Sequence, residues 1–207
     1  MITKRSQAVN ETKAPRRRDA AATAERILRA AQEVFHDKGY EGATTREIAD
    51  RAGVNLALIK RYYGSKLGLF ERAVLPFLTL EAFLDKPVDD LGERLADHYV
   101  RTEPMDRFDP ILVLLKSISS PDAGPLLVEA VERQAVTPLA EVLGGEDASA
   151  RAILIATQIA GLILRFRAMR QSPRSEAERQ AIRVRLSAYF RELTQDGSIP
   201  SEDKRAR

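Results

Sequence analysis

One stretch of twenty residues, TTREIADRAGVNLALIKRYY (44–63), constrains the fold more than any other part of the sequence. Thr44 and Glu47 have the spacing of a capping box, in which each side chain satisfies a backbone donor of the other residue. Gly53 favours a tight turn because glycine adopts positive φ without strain, and Asn55 is a typical N-cap residue. The spacing therefore predicts two short helices joined by a turn of three or four residues, which is a helix-turn-helix.

The helix that follows Asn55 combines residue types that a helix built only for packing does not need. Ile59 and Tyr63 are four residues apart and suit its buried side, with Leu56 or Tyr62 at the edges. The residues expected to face outward near its N-terminal end are Ala57, Leu58 and Lys60. In a helix-turn-helix this end enters the DNA major groove, where apolar side chains contact thymine methyls and cations contact guanine or phosphate. The alternative interpretation is a small helical core with irregular patterning.

An amphipathic helix is predicted before this unit, over residues 23–38. Thr23 is a suitable cap, and Gly39 is well placed to end the helix in a left-handed conformation. Apolar residues recur at helical spacing along it: Ile27, Leu28, Ala31, Val34 and Phe35. This helix comes first in the chain, and it gives the two helices of the helix-turn-helix a surface to pack against.

The front of the chain is basic. Residues 1–66 hold 14 Lys and Arg against 8 Asp and Glu, whereas the rest of the chain holds 19 against 22. Residues 1–20 are predicted to form a basic, flexible arm, because Pro15 should break a helix and Arg16, Arg17 and Arg18 add a run of positive charge. Such an arm is expected to contact a nucleic-acid backbone; a solvated tail is the alternative.

Several chemistries are disfavoured by composition. The chain has no cysteine, which excludes disulfides and thiolate metal sites, and only two histidines, His36 and His98. No glycine-rich phosphate loop, zinc-protease motif or nucleophile elbow occurs, so no cofactor, no metal and no enzymatic activity are expected. The longest apolar run, residues 153–166, is shorter than the roughly 20 residues of a membrane-spanning helix and predicts a buried helix. No signal-peptide pattern is present, so a cytoplasmic protein is expected.

The order of these features resembles that of one known family. Residues 23–74 are similar to the DNA-binding region of TetR-family transcriptional repressors: they contain an A-x-x-x-F-x-x-x-G-Y pattern at residues 31–40, T-T-x-x-I-A-x-x-A-G-V at 44–54, and an aromatic pair followed by Ser65 and Lys66. The resemblance implies that Thr45 and Arg46 contact the DNA backbone or a base, and that Tyr62 and Lys66 hold phosphate. The full predicted DNA-binding set is Thr45, Arg46, Asn55, Leu56, Ala57, Leu58, Lys60, Arg61, Tyr62 and Lys66, with Arg16, Arg17 and Arg18 of the arm.

This sequence departs from the family pattern at three places. Lys60 stands where the family usually has a tyrosine. Ala57-Leu58 replaces a Ser/Gly-Thr pair, so one hydroxyl group that would bind phosphate is missing. Leu67-Gly68 replaces the acidic pair that often follows Ser-Lys, so the start of the next helix is expected to be weaker. These departures put the operator sequence in doubt, but not the groove interpretation.

No further motif follows residue 76. The sequence there shows only residues that typically begin or end helices. The fold class predicted is all-α, with an N-terminal three-helix helix-turn-helix domain and a helical ligand-binding and dimerisation bundle, about nine helices in total. Helix four is predicted to continue beyond residue 70 with a kink or an end near Pro76, and Pro125 to open a long helix that is strained at Pro138. The domain limits expected are 1–20 for the arm, 21–68 for the DNA-binding domain, 69–196 for the second domain and 197–207 for a polar tail.

The family resemblance implies two further sites in the second domain. An effector pocket with an aromatic and methionine lining is expected from Phe77, Leu80, Phe83, Leu84, His98, Tyr99, Met105, Phe108 and Leu112. A dimer interface is expected from the last two long helices, at Ala156, Ala160, Ile163, Phe166, Ile182, Leu186 and Phe190. The alternative for both sets is that these side chains fill the core of a single subunit.

The leading hypothesis is therefore a homodimeric repressor that binds a palindromic, double-stranded DNA operator and is released by a small, apolar effector. The alternatives are an effector-independent regulator and an architectural protein that binds DNA without sequence preference. An activator is also compatible with the sequence. Neither the operator nor the effector is identified by these residues.

Overall fold

The computed structural model describes residues 13–100 and 108–195, with side chains from Asp19 onward. Across these ranges the chain is helical and contains no β-strand, as the periodicity predicts. The α-helices are α1 Lys13–Gly42, α2 Thr45–Ala52, α3 Leu56–Tyr63, α4 Lys66–Ala73, α5 Glu81–Leu84, α6 Leu91–Val100, α7 Pro110–Ser117, α8 Gly124–Val131, α9 Thr137–Leu143, α10 Ala148–Ile163 and α11 Glu176–Thr194. Short 3₁₀ turns lie at Leu75–Phe77 and Val88–Asp90.

Eleven α-helices are present in the described ranges. Counting α8 and α9 as one and leaving out the four-residue α5 gives the predicted number of about nine. Helices α8 and α9 form one rod, because a π-helical stretch, Glu132–Val136, joins them without a break. That stretch lies just before Pro138, where the sequence predicts strain. Proline clashes with the carbonyl four residues earlier and donates no hydrogen bond, and a local π register is one way for a helix to absorb both effects. The four-residue α5 was not predicted as a separate element.

Helix α1 begins earlier than predicted. It starts at Lys13 rather than near residue 23, and this corrects the expectation that Pro15 breaks the helix. Proline is tolerated in the first turn, where its missing N–H would have no intrahelical partner. The triplet Arg16 to Arg18 is therefore helical, although its side chains lie outside the described residues, as do the remainder of the predicted arm and the polar tail.

The turns of the helix-turn-helix follow the predicted chemistry. The side chain of Thr44 accepts a hydrogen bond from Glu47 N (3.2 Å), and that of Asn55 accepts one from Ala57 N (2.9 Å). Gly53 takes the left-handed conformation (φ 62°) between α2 and α3. The capping box is only half formed, because the Glu47 carboxylate accepts from Lys38 Nζ (2.8 Å) on α1 instead of returning to the Thr44 amide.

The first hydrophobic core joins α1 to α4 and reaches beyond them. Phe35, Tyr40 and Phe70 form its aromatic centre, with edge-to-face contacts from Phe70 to the other two rings (centroids 4.9 and 5.1 Å). The same core contains Val113 from α7 and Leu127 from α8. The helix-turn-helix is therefore seated on the second bundle through shared packing rather than connected to it by a bare linker.

The second core lies between α6, α9, α10 and α11. Its closest contact is between α6 and α11, where a Cβ on Gly92 would lie 2.7 Å from Arg191 N. Only glycine allows the two backbones to approach this closely. Leu95, Ile155 and Phe190 are fully buried around this contact, so α6, α10 and α11 pack closely together next to the cavity described below.

Helix α10 is buried on one side only. One stretch, Ala148–Ala168, is long and apolar enough to cross a membrane by length and composition, a test that the core helix of a soluble protein also passes. Ile155 and Ile159 are buried, whereas Ile153 and Leu154 are about half exposed. The predicted buried helix is therefore buried on one side only, and the exposed side requires a separate explanation.

Candidate nucleic-acid interface and effector cavity

The residues of α3 alternate in pairs between solvent and core. Leu56-Ala57 and Lys60-Arg61 are exposed, whereas Leu58-Ile59 and Tyr62-Tyr63 are buried or half-buried. Pairs that recur every four residues fall on one face of a helix. The pairing explains why three apolar residues stand side by side after Asn55: the first two lie on the outer face, and Leu58 lies on the inner one.

This pattern corrects two orientations predicted from the sequence. Leu58 does not face outward, because it packs against the first core together with Tyr62. Leu56 lies on the outer face and is 41% exposed. Tyr63 is held inward by a hydrogen bond from its hydroxyl to Ala24 O (2.8 Å), and burial raises its pKa. The outer face of α3 therefore consists of two apolar residues followed by two cations.

The cations of this surface differ from those nearby in having no partner among the residues that the structure describes. Arg51 lies 3.4 Å from an Asp37 carboxylate oxygen, and Lys38 lies 2.8 Å from that of Glu47. Within the described residues, the side chains of Arg46, Lys60 and Arg61 make no ion pair or hydrogen bond, and all three are exposed. Exposed cations that have no anionic partner, on or beside a helix that fits the DNA major groove, favour the binding of a polyanion. Thr45, half-buried at the start of α2, adds a helix N-terminus to the same side of the unit.

Lys66 is positioned by an aromatic ring. Its ammonium lies 4.3 Å from the centroid of Tyr40, over the ring, an arrangement stabilised by the ring quadrupole. Because the side chain is half-buried, its position is more restricted than that of an exposed lysine. The sequence gives no signal for this pair, since the two residues are far apart in the chain.

The departure at Gly68 has a structural reason. A Cβ at this position would lie 2.3 Å from Tyr63 O, so a larger residue would push α4 away from the end of α3. The Ser65 hydroxyl accepts a hydrogen bond from Gly68 N (3.0 Å) and caps α4. Helix α4 is therefore well formed, and the expectation of a weak start is not met.

A cavity of about 220 Å³ lies between the residues that follow α4 (Phe77 to Leu80), α6, α7 and α10. Aromatic rings form one wall: the rings of Phe83 and Tyr99 stack, with centroids 6.0 Å apart, and His98 lies edge-on to both. Aliphatic side chains of α10 form the opposite wall. The lining residues that the sequence predicts are Phe77, Leu80, Phe83, His98 and Tyr99.

The other predicted pocket residues lie elsewhere. Leu84 lines a separate surface groove, and Leu112 is buried but does not reach the cavity. Phe108 is not a lining residue, although its ring packs edge-to-face on Phe77 (5.4 Å). Met105 lies outside the described residues. The set of residues expected from the family resemblance includes the aromatic side of the cavity and misses the side formed by α7 and α10.

Two charged lining residues were also missed. The Asp109 carboxylate is 4% exposed and caps α7, where one oxygen accepts from Ile111 N (3.1 Å) and Leu112 N (3.2 Å). Its other oxygen accepts a hydrogen bond from Arg167 Nη1. The Asp-Pro pair before an apolar run was a readable cap signal, but nothing in the sequence pairs it with an arginine 58 residues away.

The predicted dimer-interface residues face the interior of this chain. Ala156, Ala160 and Ile163 line the cavity. Leu186 and Phe190 are buried, and Phe166 and Ile182 pack against the second core. Within this chain these side chains therefore contribute to the single-subunit core that the alternative describes, and their contact with a second subunit stays a prediction.

A different apolar face of α10 and α11 is open. Its large members are 36–54% exposed: Ile153 and Leu154 on α10, Leu164 directly after α10, and Val184 and Tyr189 on α11. Gly161 lies on the same side of α10, and a Cβ there would meet nothing within 4 Å. The sequence misplaced this face because both sides of α10 are apolar, so that periodicity alone does not separate them.

Comparison with known proteins identifies the two parts of the chain. Residues 27–73 match the family described as bacterial regulatory proteins, tetR family. Residues 89–193 match the tetracyclin repressor-like C-terminal domain. The chain belongs to the TetR family. It is thus a member of a family of DNA-binding, helix-turn-helix transcriptional regulators, and the relatives considered below are regulators rather than enzymes.

Curated TetR-family relatives match only part of the chain. The transcriptional activator FasR of Mycolicibacterium smegmatis is 50% identical over 44 residues, which cover 21% of this chain and 20% of FasR. The transcriptional repressor BdcR of Escherichia coli is 34% identical over 58 residues, 28% of this chain and 29% of BdcR. The matches thus span less than a third of either relative. One of these two relatives is an activator and the other is a repressor.

A solved TetR-family fold matches most of the chain. NalD of Pseudomonas aeruginosa, the secondary repressor of the MexAB-OprM multidrug efflux pump, superimposes with a TM-score of 0.63 at 17% identity, over 84% of this chain and 97% of NalD. At this identity the likeness shows the fold alone. The order of helices described above is therefore shared with NalD over 84% of this chain.

Proposed function

We propose that this protein is a cytoplasmic, homodimeric transcriptional repressor that binds a palindromic DNA operator and is released by a small effector. The observation that carries the proposal is the outer face of α3, which presents Leu56 and Ala57 at the N-terminal end and the unpaired cations Lys60 and Arg61 after them. Apolar side chains contact thymine methyls, and cations contact guanine or phosphate, in the major groove. Arg46 and Lys66 extend the basic surface on either side.

Two copies are needed because one short recognition helix contacts few bases. Dimeric helix-turn-helix proteins place their two reading heads about one turn of DNA apart, which requires a palindromic site. We propose the open face of α10 and α11 as the surface for the second subunit, since a contiguous patch of exposed apolar side chains on a soluble protein marks an interaction site. Gly161 on this face would allow a close approach between helices of the two subunits.

Release by an effector is a linkage between two sites. Phe77, Leu78 and Leu80 line the cavity and follow α4, so a ligand is expected to move α4 and to change the separation of the two recognition helices. A ligand shifts such an equilibrium only by its difference in affinity for the two states. Typical couplings of about 1–3 kcal/mol correspond to roughly 5- to 150-fold in operator affinity.

Helix α7 gives a second connection between the cavity and the DNA-binding region. Its cap Asp109 and its residues Pro110, Ile111 and Leu114 line the cavity, and its C-terminal end contacts α1. Lys116 Nζ donates to the carbonyl oxygens of His36 (2.6 Å) and Asp37 (3.1 Å). Movement at the cavity end of α7 would therefore be transmitted to the end of α1 without passing through α4.

The proposal is tested by selecting genomic DNA fragments that bind the full-length protein and measuring their affinity by fluorescence anisotropy at fixed salt. A sequence-specific repressor is expected to bind the selected fragment about 10³-fold or more tightly than random DNA. Equal affinity for both would favour the architectural alternative, since binding without sequence preference depends on phosphate contacts. A reporter gene placed behind the selected fragment distinguishes repression from activation.

A further inference from the structure

The charged end of the cavity holds one buried hydrogen-bond donor without an acceptor. Arg167 donates to the Asp109 carboxylate through Nη1, whereas its Nη2 is buried and makes no hydrogen bond. Arg167 is itself a lining residue of the cavity. A buried donor that loses water without gaining a protein acceptor is destabilising, so Arg167 Nη2 is a group to which a ligand acceptor would bind favourably.

Asp109 does not supply a second acceptor. Both its carboxylate oxygens are engaged: one by Ile111 N and Leu112 N, and the other by Arg167 Nη1. The carboxylate holds the first turn of α7 in place, and its loss would free three donors at once. The Asp109–Arg167 pair is therefore a fixed group, and its buried unused donor is Arg167 Nη2.

The charge of the pair restricts the ligand. Arg167 and Asp109 together are neutral, so a ligand anion would leave one negative charge unbalanced in a largely buried site, close to the Asp109 carboxylate. Burying an unpaired charge is far more costly than burying a neutral polar group that is hydrogen-bonded. Tyr99, at the aromatic wall, adds no negative charge near neutral pH, because burial raises its pKa to about 12.

Size and wall composition restrict the rest of the ligand. The cavity volume of about 220 Å³ lies below the roughly 300–1,000 Å³ of typical ligand clefts. The rings of Phe83, His98 and Tyr99 face aliphatic side chains of α10, which suits a flat, apolar body. Aromatic rings pack in stacked or edge-to-face arrangements with other rings.

From these observations we infer that the cavity binds a small, uncharged, ring-containing molecule with one carbonyl-type oxygen that accepts a hydrogen bond from Arg167 Nη2. Its role as the effector rests on the proposed function, whereas its binding chemistry rests on the cavity. A site built to donate a hydrogen bond discriminates strongly against an analogue without the acceptor, because the donor is then left unpaired.

Three probes of one ring system test this chemistry by isothermal titration calorimetry with the full-length protein in the absence of DNA. They are naphthalene, 2-acetylnaphthalene and 2-naphthoate, which carry no acceptor, a neutral acceptor and an anionic acceptor. The ketone is expected to bind about tenfold or more tightly than naphthalene, and more tightly than the carboxylate. Equal binding of the three, tighter binding of naphthoate, or binding of none would overturn the inference.

Substitutions of Arg167 and Asp109 test whether these two residues cause the expected differences in affinity among the three probes. Arg167→Lys keeps the charge opposite Asp109 but removes the planar pair of nitrogens, so the preference for the ketone over naphthalene should disappear. Asp109→Asn keeps an acceptor oxygen for the cap of α7 and leaves Arg167 unbalanced, so the ranking should reverse in favour of naphthoate. Phe83→Leu is the matched control, because it should weaken all three probes alike. If both charge variants fail to fold, the wild-type ranking alone decides.

The outcome is separable from that of the proposed function. A protein that ranks the probes as expected but binds selected and random DNA equally would contradict the operator proposal and leave the ligand class standing. A protein that binds its operator specifically but does not discriminate among the probes would contradict the ligand class alone.

Discussion

The backbone amide of Tyr40 donates a hydrogen bond to the Ser117 hydroxyl (2.9 Å), which joins the end of α1 to the end of α7. Ser117 is 1% exposed, so this contact excludes water. Close to it, a Cβ on Gly39 would lie 2.9 Å from Lys116 O, which shows how tightly the two helix ends approach. This junction links the cavity helix α7 to the DNA-binding region.

The first prediction concerns this junction. Ser117→Ala should lower the free energy of unfolding by about 1–3 kcal/mol, because it leaves the Tyr40 amide buried without an acceptor. Urea denaturation followed by circular dichroism measures the change. Ser119→Ala, two residues along and exposed, is the matched control and should change the stability by less than about 0.5 kcal/mol. Equal effects of the two substitutions would show that the buried hydrogen bond contributes nothing specific.

A second prediction concerns base recognition by Lys60. Lys60→Ala should reduce affinity for the selected operator by about 1–3 kcal/mol and relax the preference at particular base pairs if the lysine contacts a base. Anisotropy titrations against an operator and its single-base variants measure both effects. Lys86→Ala, an exposed lysine far along the chain in the second bundle, is the control. A uniform decrease on every sequence would mean that Lys60 contacts phosphate instead.

A third prediction concerns the arginine triplet. Because α1 begins at Lys13, deletion of residues 1–18 would shorten a helix, so Arg16, Arg17 and Arg18 should be replaced together by glutamine. For every phosphate that these arginines neutralise, the replacement should reduce the slope of log affinity against log salt by about 0.9. Affinity measured at several salt concentrations gives the slope. An unchanged slope would identify the triplet as a spectator.

A fourth prediction concerns dimerisation through the open face of α10 and α11. Leu154→Glu or Val184→Glu should shift the protein from dimer to monomer and abolish tight operator binding, because each places a charge within an apolar contact. Analytical ultracentrifugation measures the shift. Val128→Glu, on α8 and similarly exposed, is the control and should stay dimeric. A dimer that survives both substitutions would place the interface elsewhere.

A fifth prediction follows from the burial of Tyr99, which raises its pKa from 10.0 to about 12. The folded protein holds this proton more tightly than the unfolded chain, so the associated stability is present below pH 10 and lost as the pH rises from 10 to 12. The shift corresponds to about 2–3 kcal/mol. Tyr99→Phe should flatten this alkaline decline in urea-denaturation experiments.

The matched substitution is Tyr189→Phe, at a partly exposed tyrosine on α11. Burial also raises the pKa of Tyr40 and Tyr63, and both contribute a decline in the same direction. The test is therefore the difference between Tyr99→Phe and the parent protein. An identical decline in the two would contradict the assignment to Tyr99.

Local chemistry made the helix-turn-helix predictable. Thr44, Gly53 and Asn55 act on backbone groups within three residues, so their roles depend little on the rest of the fold. The orientation of Leu58 was not predictable in the same way, because three adjacent apolar residues leave the buried side undetermined. Only the packing of Leu58 and Tyr62 against the first core decides which pair faces out.

The sequence by itself determined the helices, their caps and the family, because these depend on short-range periodicity, turn geometry and motif order. The tertiary structure alone decided which side of α10 is buried, that Asp109 meets Arg167, and that α7 connects the cavity to α1. These relationships join residues tens of positions apart, and they follow from the way several apolar surfaces share limited space. A pattern read along the chain contains no measure of that competition.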